Sequence, residues 1–162
     1  MRLTTLELFK EDMKFSAGHF TIFSATRRER IHGHNFRVHV IIEAEIQGNG
    51  MCFDYGIYKQ RIRDLCQAWD EYMILPTLSP HLSIEEADGY VYAVFNQEHI
   101  PFLPQDVLLL PIANATVEEF SRLMLEALIQ DPAELQIFGI HAVTVKVYSG
   151  PGQSGATTWK RP

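Results

Sequence analysis

Two histidines flank a single glycine at His32-Gly33-His34. On a strand, residues i and i+2 share a face and lie about 6.6–6.8 Å apart along the chain. Two imidazoles so placed can converge on one ion, and the glycine between them lets backbone or ligand come close. His19 is a third candidate donor, alternating with Met13, Phe15 and Ala17 along the segment before it. If segments 12–20 and 34–46 pair antiparallel, His19 meets the His32/His34 end, because both ends adjoin one connecting loop. Three neutral imidazoles with a fourth position open form the donor set of a catalytic zinc rather than a structural one. The plainer reading is a group of strand-end histidines that hydrogen-bond locally. Arg27, Arg28, Arg30 and Arg37 gather positive charge in an acidic chain. Such a cluster can neutralise an anionic ligand, or be solvated surface.

The elements that must position these groups follow from periodicity. Residues 12–20 and 34–46 read as strands; in the second, Phe36, Val38, Val40, Ile42, Ala44 and Ile46 share a face. Gln47-Gly48-Asn49-Gly50 is a turn. Asp54 is placed to cap a helix reaching about Trp69, with Tyr58, Ile62, Leu65 and Trp69 as its apolar stripe. Residues 75–89 read as a proline-containing loop, and 90–102 as a hairpin turning at Asn96-Gln97. Thr116-Val117-Glu118-Glu119 has capping-box form, and the helix it opens stops at Asp131-Pro132. Residues 140–149 and 156–160 form a second strand pair. Apart from the hairpin the order is strand pair, helix, helix, strand pair. That is an α+β layout with helices on one face of an antiparallel sheet. Its end strands have exposed edges, which copies of the chain could close into a barrel.

Composition bounds the function. The chain has 162 residues, 46% apolar and 21% charged, with a net charge of −6. One domain over 1–162 is expected. The acidic balance disfavours a general nucleic-acid binder, whose affinity comes from neutralising phosphates. No apolar run approaches the roughly 20 residues of a membrane helix. The opening residues lack the apolar core of a secretory signal. Two cysteines, Cys52 and Cys66, cannot form a disulfide framework. A cytoplasmic protein without nucleic-acid or membrane partners is therefore expected.

Phe15-Ser16-Ala17-Gly18-His19 followed by His32-Gly33-His34-Asn35-Phe36 resembles the 6-pyruvoyl-tetrahydropterin synthase family, which includes the 6-carboxytetrahydropterin synthases. In that family FSAxH and HGHN(Y/F) supply three zinc ligands. Gly50 to Tyr55 resembles the segment opening the family's first helix, and Thr116 to Glu119 its T-x-E-N segment. The resemblance spans the chain except residues 77–112, which look inserted. It implies the tunnelling fold, a ββααββ subunit whose strands join those of two others in a trimeric barrel. Trimers stack into hexamers with active sites at the interfaces. It further implies a zinc-dependent, lyase-type enzyme acting on a reduced pterin, with His19, His32 and His34 on the metal.

Departures from the family pattern shape the expected roles. The usual cysteine base before HGH is missing, and Glu29-Arg30-Ile31-His32-Gly33-His34 matches the E-x-x-H-G-H variant. Members with that variant resemble enzymes that cleave the side chain of dihydroneopterin triphosphate to leave 6-hydroxymethyl-dihydropterin. Glu29 is thus the implied base, able to take a proton if burial raises its pKa; its alternative is a solvated loop charge. The family's Asp–His relay appears as Asp70-Glu71, and a carboxylate reverses the charge states of that pair. Thr116 and Glu118 fall at substrate-binding positions, though helix capping also explains them. Ser149 stands where the family's strand ends in a glutamate that grips the pterin guanidine edge, and serine cannot make that bidentate charged contact. Two other outcomes stay open: a zinc enzyme for another small cyclic substrate, and a non-catalytic zinc-binding homo-oligomer.

Overall fold

The computed structural model covers residues 1–162. Its framework is the antiparallel pair β2 (Lys14–His19) and β3 (His32–Glu45). β3 is long because Phe36, Val38, Val40, Ile42 and Ala44 alternate without a break, and all five are buried. Its far edge pairs with β9 (Ile140–Gly150), which folds back into β10 (Gln153–Lys160). The register sets His19 opposite His32 and Ala17 opposite His34, so the three histidines meet on one sheet face as their alternation requires.

Two helices cover that face. Tyr58, Ile62, Cys66 and Trp69 of α1 (Gly56–Trp69) and Phe120, Met124, Leu125 and Leu128 of α2 (Val117–Leu128) share one core with Phe15, Phe36, Val145 and Val147. Each such side chain contributes about 1.5–3 kcal/mol when fully buried, so the layer fixes the sheet that carries the histidines. At Gly155 a β-carbon would lie 2.7 Å from the Glu118 amide nitrogen. Only glycine lets β10 pass this close to the start of α2. No helix is long and apolar enough to cross a membrane.

The α+β class with helices on one face holds, but the sheet is mixed rather than antiparallel. Residues 75–89 are not a loop. β4 (Tyr72–Pro76) runs parallel to β2 and to β8 (Val107–Leu110), while β5 spans Leu82–Ala87. Met73, Ile74, Leu75 and Pro76 are all buried, so β4 has none of the alternation that marks a half-exposed strand. The hairpin of β6 (Tyr90–Phe95) and β7 (Glu98–Phe102) turns at Asn96 and Gln97, with φ of 47° and 67° as a primed turn requires. β5 adds a third strand to it. This small sheet has its own core, in which Leu82, Val91, Ala93 and Phe95 pack on Phe20, Ile22, Met73 and Leu75.

Smaller differences concern the ends. β1 (Leu3–Leu8) pairs with β3, and of its six residues only Leu8 is buried, which left little pattern to read. Asp54 does not cap α1; Tyr55 holds that position, while Asp54 Oδ1 accepts from the Gly56 amide at 2.9 Å. The capping box is half formed. Thr116 Oγ1 accepts from the Glu119 amide at 3.5 Å, but the Glu119 carboxylate turns to the Ala113 amide and Arg122. Asp131 ends α2 only to cap α3 (Pro132–Ile137), accepting from the Ala133 and Glu134 amides.

Candidate active site

His19, His32 and His34 place one ring nitrogen each within 4.8 Å of one another. Their orientation follows from the opposite nitrogens. His19 Nδ1 lies 2.7 Å from the Ala115 carbonyl and His32 Nδ1 2.7 Å from the Arg30 carbonyl. A carbonyl only accepts, so both Nδ1 atoms carry the proton and both Nε2 lone pairs face the cluster. His32 Nε2 and His34 Nε2 are 3.1 Å apart. His19 Nε2 is buried without a partner. A buried polar atom left unpaired costs about 1–3 kcal/mol, and a metal ion at the cluster would satisfy it. His19 forms the buried floor, and exposed His32 leaves the solvent side open.

Protonation suits that purpose. Burial is the largest influence on His19 and lowers its pKa below the ordinary 6.5, against the Ala115 carbonyl, which favours the charged ring. Burial, then the neighbouring His32, lowers His34 as well. Metal ligation needs neutral imidazole. Without metal, the unfolded chain takes up protons as pH falls through about 6.5, while these folded histidines resist until lower pH. Stability is then full above that value and declines below it. Metal-stripped protein should melt at a lower temperature at pH 5.5 than at pH 7.5, and His19→Asn should narrow the gap. Identical profiles for the two proteins would contradict this.

The connection between β2 and β3 brings Glu29 to the cluster. The Glu29 amide donates to the Thr21 carbonyl at 2.9 Å, and the Thr21 amide donates to Glu29 Oε2 at 2.9 Å. That reciprocal pair leaves Glu29 Oε2 at 3.8 Å from His32 Nε2. Burial is the strongest influence on this carboxyl and raises it, but the Thr21 hydrogen bonds and the nearby histidines together hold it below 4.5. The condition attached to Glu29 in the sequence, a pKa raised by burial, is therefore not met. Glu29 is thus held in the ionised form a proton acceptor needs, while the same hydrogen bonds make it a weaker base than a free carboxylate.

Two braces hold this loop, and neither was evident in the sequence. Arg28 Nη1 donates to the Glu29 carbonyl at 2.8 Å, and its guanidinium lies over Phe20 at 4.9 Å and Phe95 at 5.8 Å. The sheet of β5, β6 and β7 thereby grips the loop through Phe95. Asn114 accepts from the Ile22 amide at 3.0 Å and donates to the Ile22 carbonyl at 2.8 Å. Its neighbour Ala115 orients His19. Asn114 lies two residues before a helix cap, and that position gives no hint of its long-range partner.

Other expected residues are dispersed. Asp70 Oδ1 accepts from the Ser16 amide at 2.7 Å. Glu71, at φ 64°, lines a cavity of about 510 Å³ with Gly18, Gly33, His34, Asn35 and Asp106. Thr116 caps α2 and Glu118 is exposed on its first turn. Ser149 borders a different cavity of about 520 Å³ with Asn35, Arg37 and Tyr148. Cys66 is core, its thiol pushed up to about 12 by burial, and burial raises Cys52 too.

Comparison with known proteins gives this geometry a context. A relative from Methanocaldococcus jannaschii, provisionally named a 6-carboxy-5,6,7,8-tetrahydropterin synthase, is 27% identical over 142 residues, covering 87% of this chain and 86% of its own. The crystal structure of 6-pyruvoyl tetrahydropterin synthase from Plasmodium vivax superposes with a TM-score of 0.93 at 27% identity, covering 99% of this chain and all of that one. Two further structures of the vivax protein, each 26% identical with a TM-score of 0.93 over 99% of this chain and all of that one, replace a glutamate named as a catalytic residue by alanine and by cysteine. The family model described as 6-pyruvoyl tetrahydropterin synthase matches residues 7–156, nearly the whole chain. The chain thus belongs to the 6-pyruvoyl tetrahydropterin synthase family.

Proposed function

We propose that this protein is a zinc-dependent lyase acting on a reduced pterin, 7,8-dihydroneopterin triphosphate, with side-chain cleavage to 6-hydroxymethyl-dihydropterin as the favoured outcome over triphosphate elimination. The observation that carries the reading is the convergence of His19, His32 and His34 with the Glu29 carboxylate 3.8 Å from His32 Nε2. The catalytic glutamate named in the vivax relative supports it. Three imidazoles and an open side suit zinc, which when bound polarises a substrate hydroxyl.

This chain's residues supply the rest. Ala115 and Arg30 fix the ring orientations, and Thr21 and Arg28 hold Glu29 so that Oε2 removes a proton from a hydroxyl at the cluster. Asp70 and Glu71 are the second proton-carrying pair. Asp70 is anchored to the Ser16 amide, so Glu71, which shares a cavity wall with His34, is the member free to exchange protons. Thr116, Glu118 and Ser149 contact the substrate in this reading. Ser149 is too short to replace a charged anchor, so pterin affinity rests on the other groups.

Self-association into a trimer or hexamer completes the proposal. β10 and β8 end the larger sheet with unpaired edges, and pairing them between copies removes that liability. Light scattering at micromolar concentration should give three times the chain mass or a multiple of it; a monomer mass contradicts this. The function is tested by incubating zinc-loaded protein with dihydroneopterin triphosphate and identifying products by mass. A 6-hydroxymethyl product supports cleavage. No change in any reduced pterin favours another small cyclic substrate or a non-catalytic zinc protein.

A further inference from the structure

All three arginines of α1 and α2 are neutralised. Arg61 pairs with Glu134, Arg63 with Asp12, and Arg122 with Glu119 and Glu126. Arg27, Arg28 and Arg30 behave differently. They crowd into four residues of an acidic chain, and none forms an ion pair with a carboxylate. All three line one cavity of about 320 Å³ between the Glu29 loop and the β6–β7 turn, which also includes Glu29, Asn96 and Glu98. That volume falls within the range of roughly 300–1,000 Å³ typical of small-molecule sites.

The cavity is joined to the candidate active site through two residues. Glu29 lines it, while its carboxylate reaches to 3.8 Å from His32 Nε2. Arg30 lines it too, and its carbonyl accepts from His32 Nδ1. A ligand whose reacting hydroxyl lies beside Glu29 would run directly into the arginines. Arg28 is already held by Phe20, Phe95 and the Glu29 carbonyl, and Arg27 lies over Phe23 at 4.6 Å. Guanidinium groups fixed before binding lose less freedom when an anion arrives, which favours affinity.

We infer that this cavity is a polyphosphate subsite, in which Arg27, Arg28 and Arg30 hold the phosphate tail of the substrate while Glu29 works on its carbon side chain. The inference rests on the pterin triphosphate reading above for the identity of the substrate, but the subsite can be tested without a pterin. Three arginines without an ion-pair partner outnumber the two carboxylates, Glu29 and Glu98, that share the recess, and a linear polyphosphate offers enough charge to meet all three. The Glu29 and Glu98 carboxylates, which line the same cavity, oppose an anion and set an upper limit on affinity.

The test is calorimetric titration of the zinc-loaded protein with inorganic triphosphate and, separately, with inorganic phosphate. Wild type should bind triphosphate well and phosphate far more weakly. Arg27→Ala/Arg30→Ala should weaken triphosphate binding by about 100-fold, roughly tenfold for each charged hydrogen-bonding partner lost. Glu98→Gln should tighten it severalfold. His32→Ala should retain it, which separates the arginine recess from direct capture by the metal. Both substituted arginines are exposed, and an unchanged melting temperature verifies the fold. Binding by the double variant equal to wild type overturns the proposal. So does loss of binding in His32→Ala with retention in the arginine variant, or equal affinity for the two anions. If no reduced pterin is turned over but the arginine-dependent binding is found, the substrate reading fails and the subsite stands.

Discussion

Glu29→Gln keeps its metal and loses turnover by about 10²–10⁴-fold, the range for removing a general base. The amide preserves size and leaves an oxygen to accept from the Thr21 amide, so the loop retains its shape. It cannot take up a proton beside His32. The Thr21 amide holds the carboxylate in place beside His32, the position that the proposed role requires. A Cys52→Ala/Cys66→Ala variant tests the converse. Cys66 is sealed in the core and Cys52 sits beside the Ala44 carbonyl, so the variant should turn over normally if packing survives. Activity in Glu29→Gln together with inactivity in a folded, metal-loaded cysteine variant would reverse the assignment. The activity of Glu29→Gln should also remain low at every pH, because the titrating group itself is gone.

His32→Ala should empty the cluster. Wild-type protein is expected to hold about one divalent ion per chain, zinc foremost. With His32 gone only two nitrogens remain, and one of them belongs to the buried His19. Elemental analysis should find almost no metal in the variant, and turnover should vanish with it. Chelation of the wild type should lower its melting temperature, since an ion bound only to the folded state stabilises that state by mass action. The variant should show no such drop. Wild-type metal content in His32→Ala would refute the cluster as the metal site.

The histidine cluster was legible because it depends on short-range rules. Alternation put Met13, Phe15, Ala17 and His19 on one face, and all four are buried. Antiparallel pairing around a single connection then set His19 opposite His32. Strand β4 failed those rules because burial on both faces erases alternation. Its parallel partners also lie far away in sequence. Type and spacing point to Asp54 and Glu119 as caps, but Asp54 falls one residue before the cap position while still accepting from the first helical amide, and Glu119 turns to the Ala113 amide. Asn114 and Thr21 gave no signal in the sequence, and Arg28 stood out only as part of a basic cluster, not as a brace. Each acts through a partner that only the folded chain brings near, whether the Ile22 backbone, the Phe20 and Phe95 rings or the Glu29 carboxylate. The low carboxyl pKa of Glu29 has the same origin, since it depends on an amide supplied eight residues away.

The state of the two sulfur atoms bears on durability under oxidative stress. A thiol becomes vulnerable to peroxide or alkylating agents to the extent that it is a thiolate in contact with solvent. Burial keeps Cys66 protonated with its pKa at about 12, and Cys52 is displaced in the same direction. A carboxylate base such as Glu29 has no corresponding oxidation ladder. If the reaction rests on Glu29 and three imidazoles as proposed, it should continue under peroxide loads that would silence a site built on a cysteine thiolate.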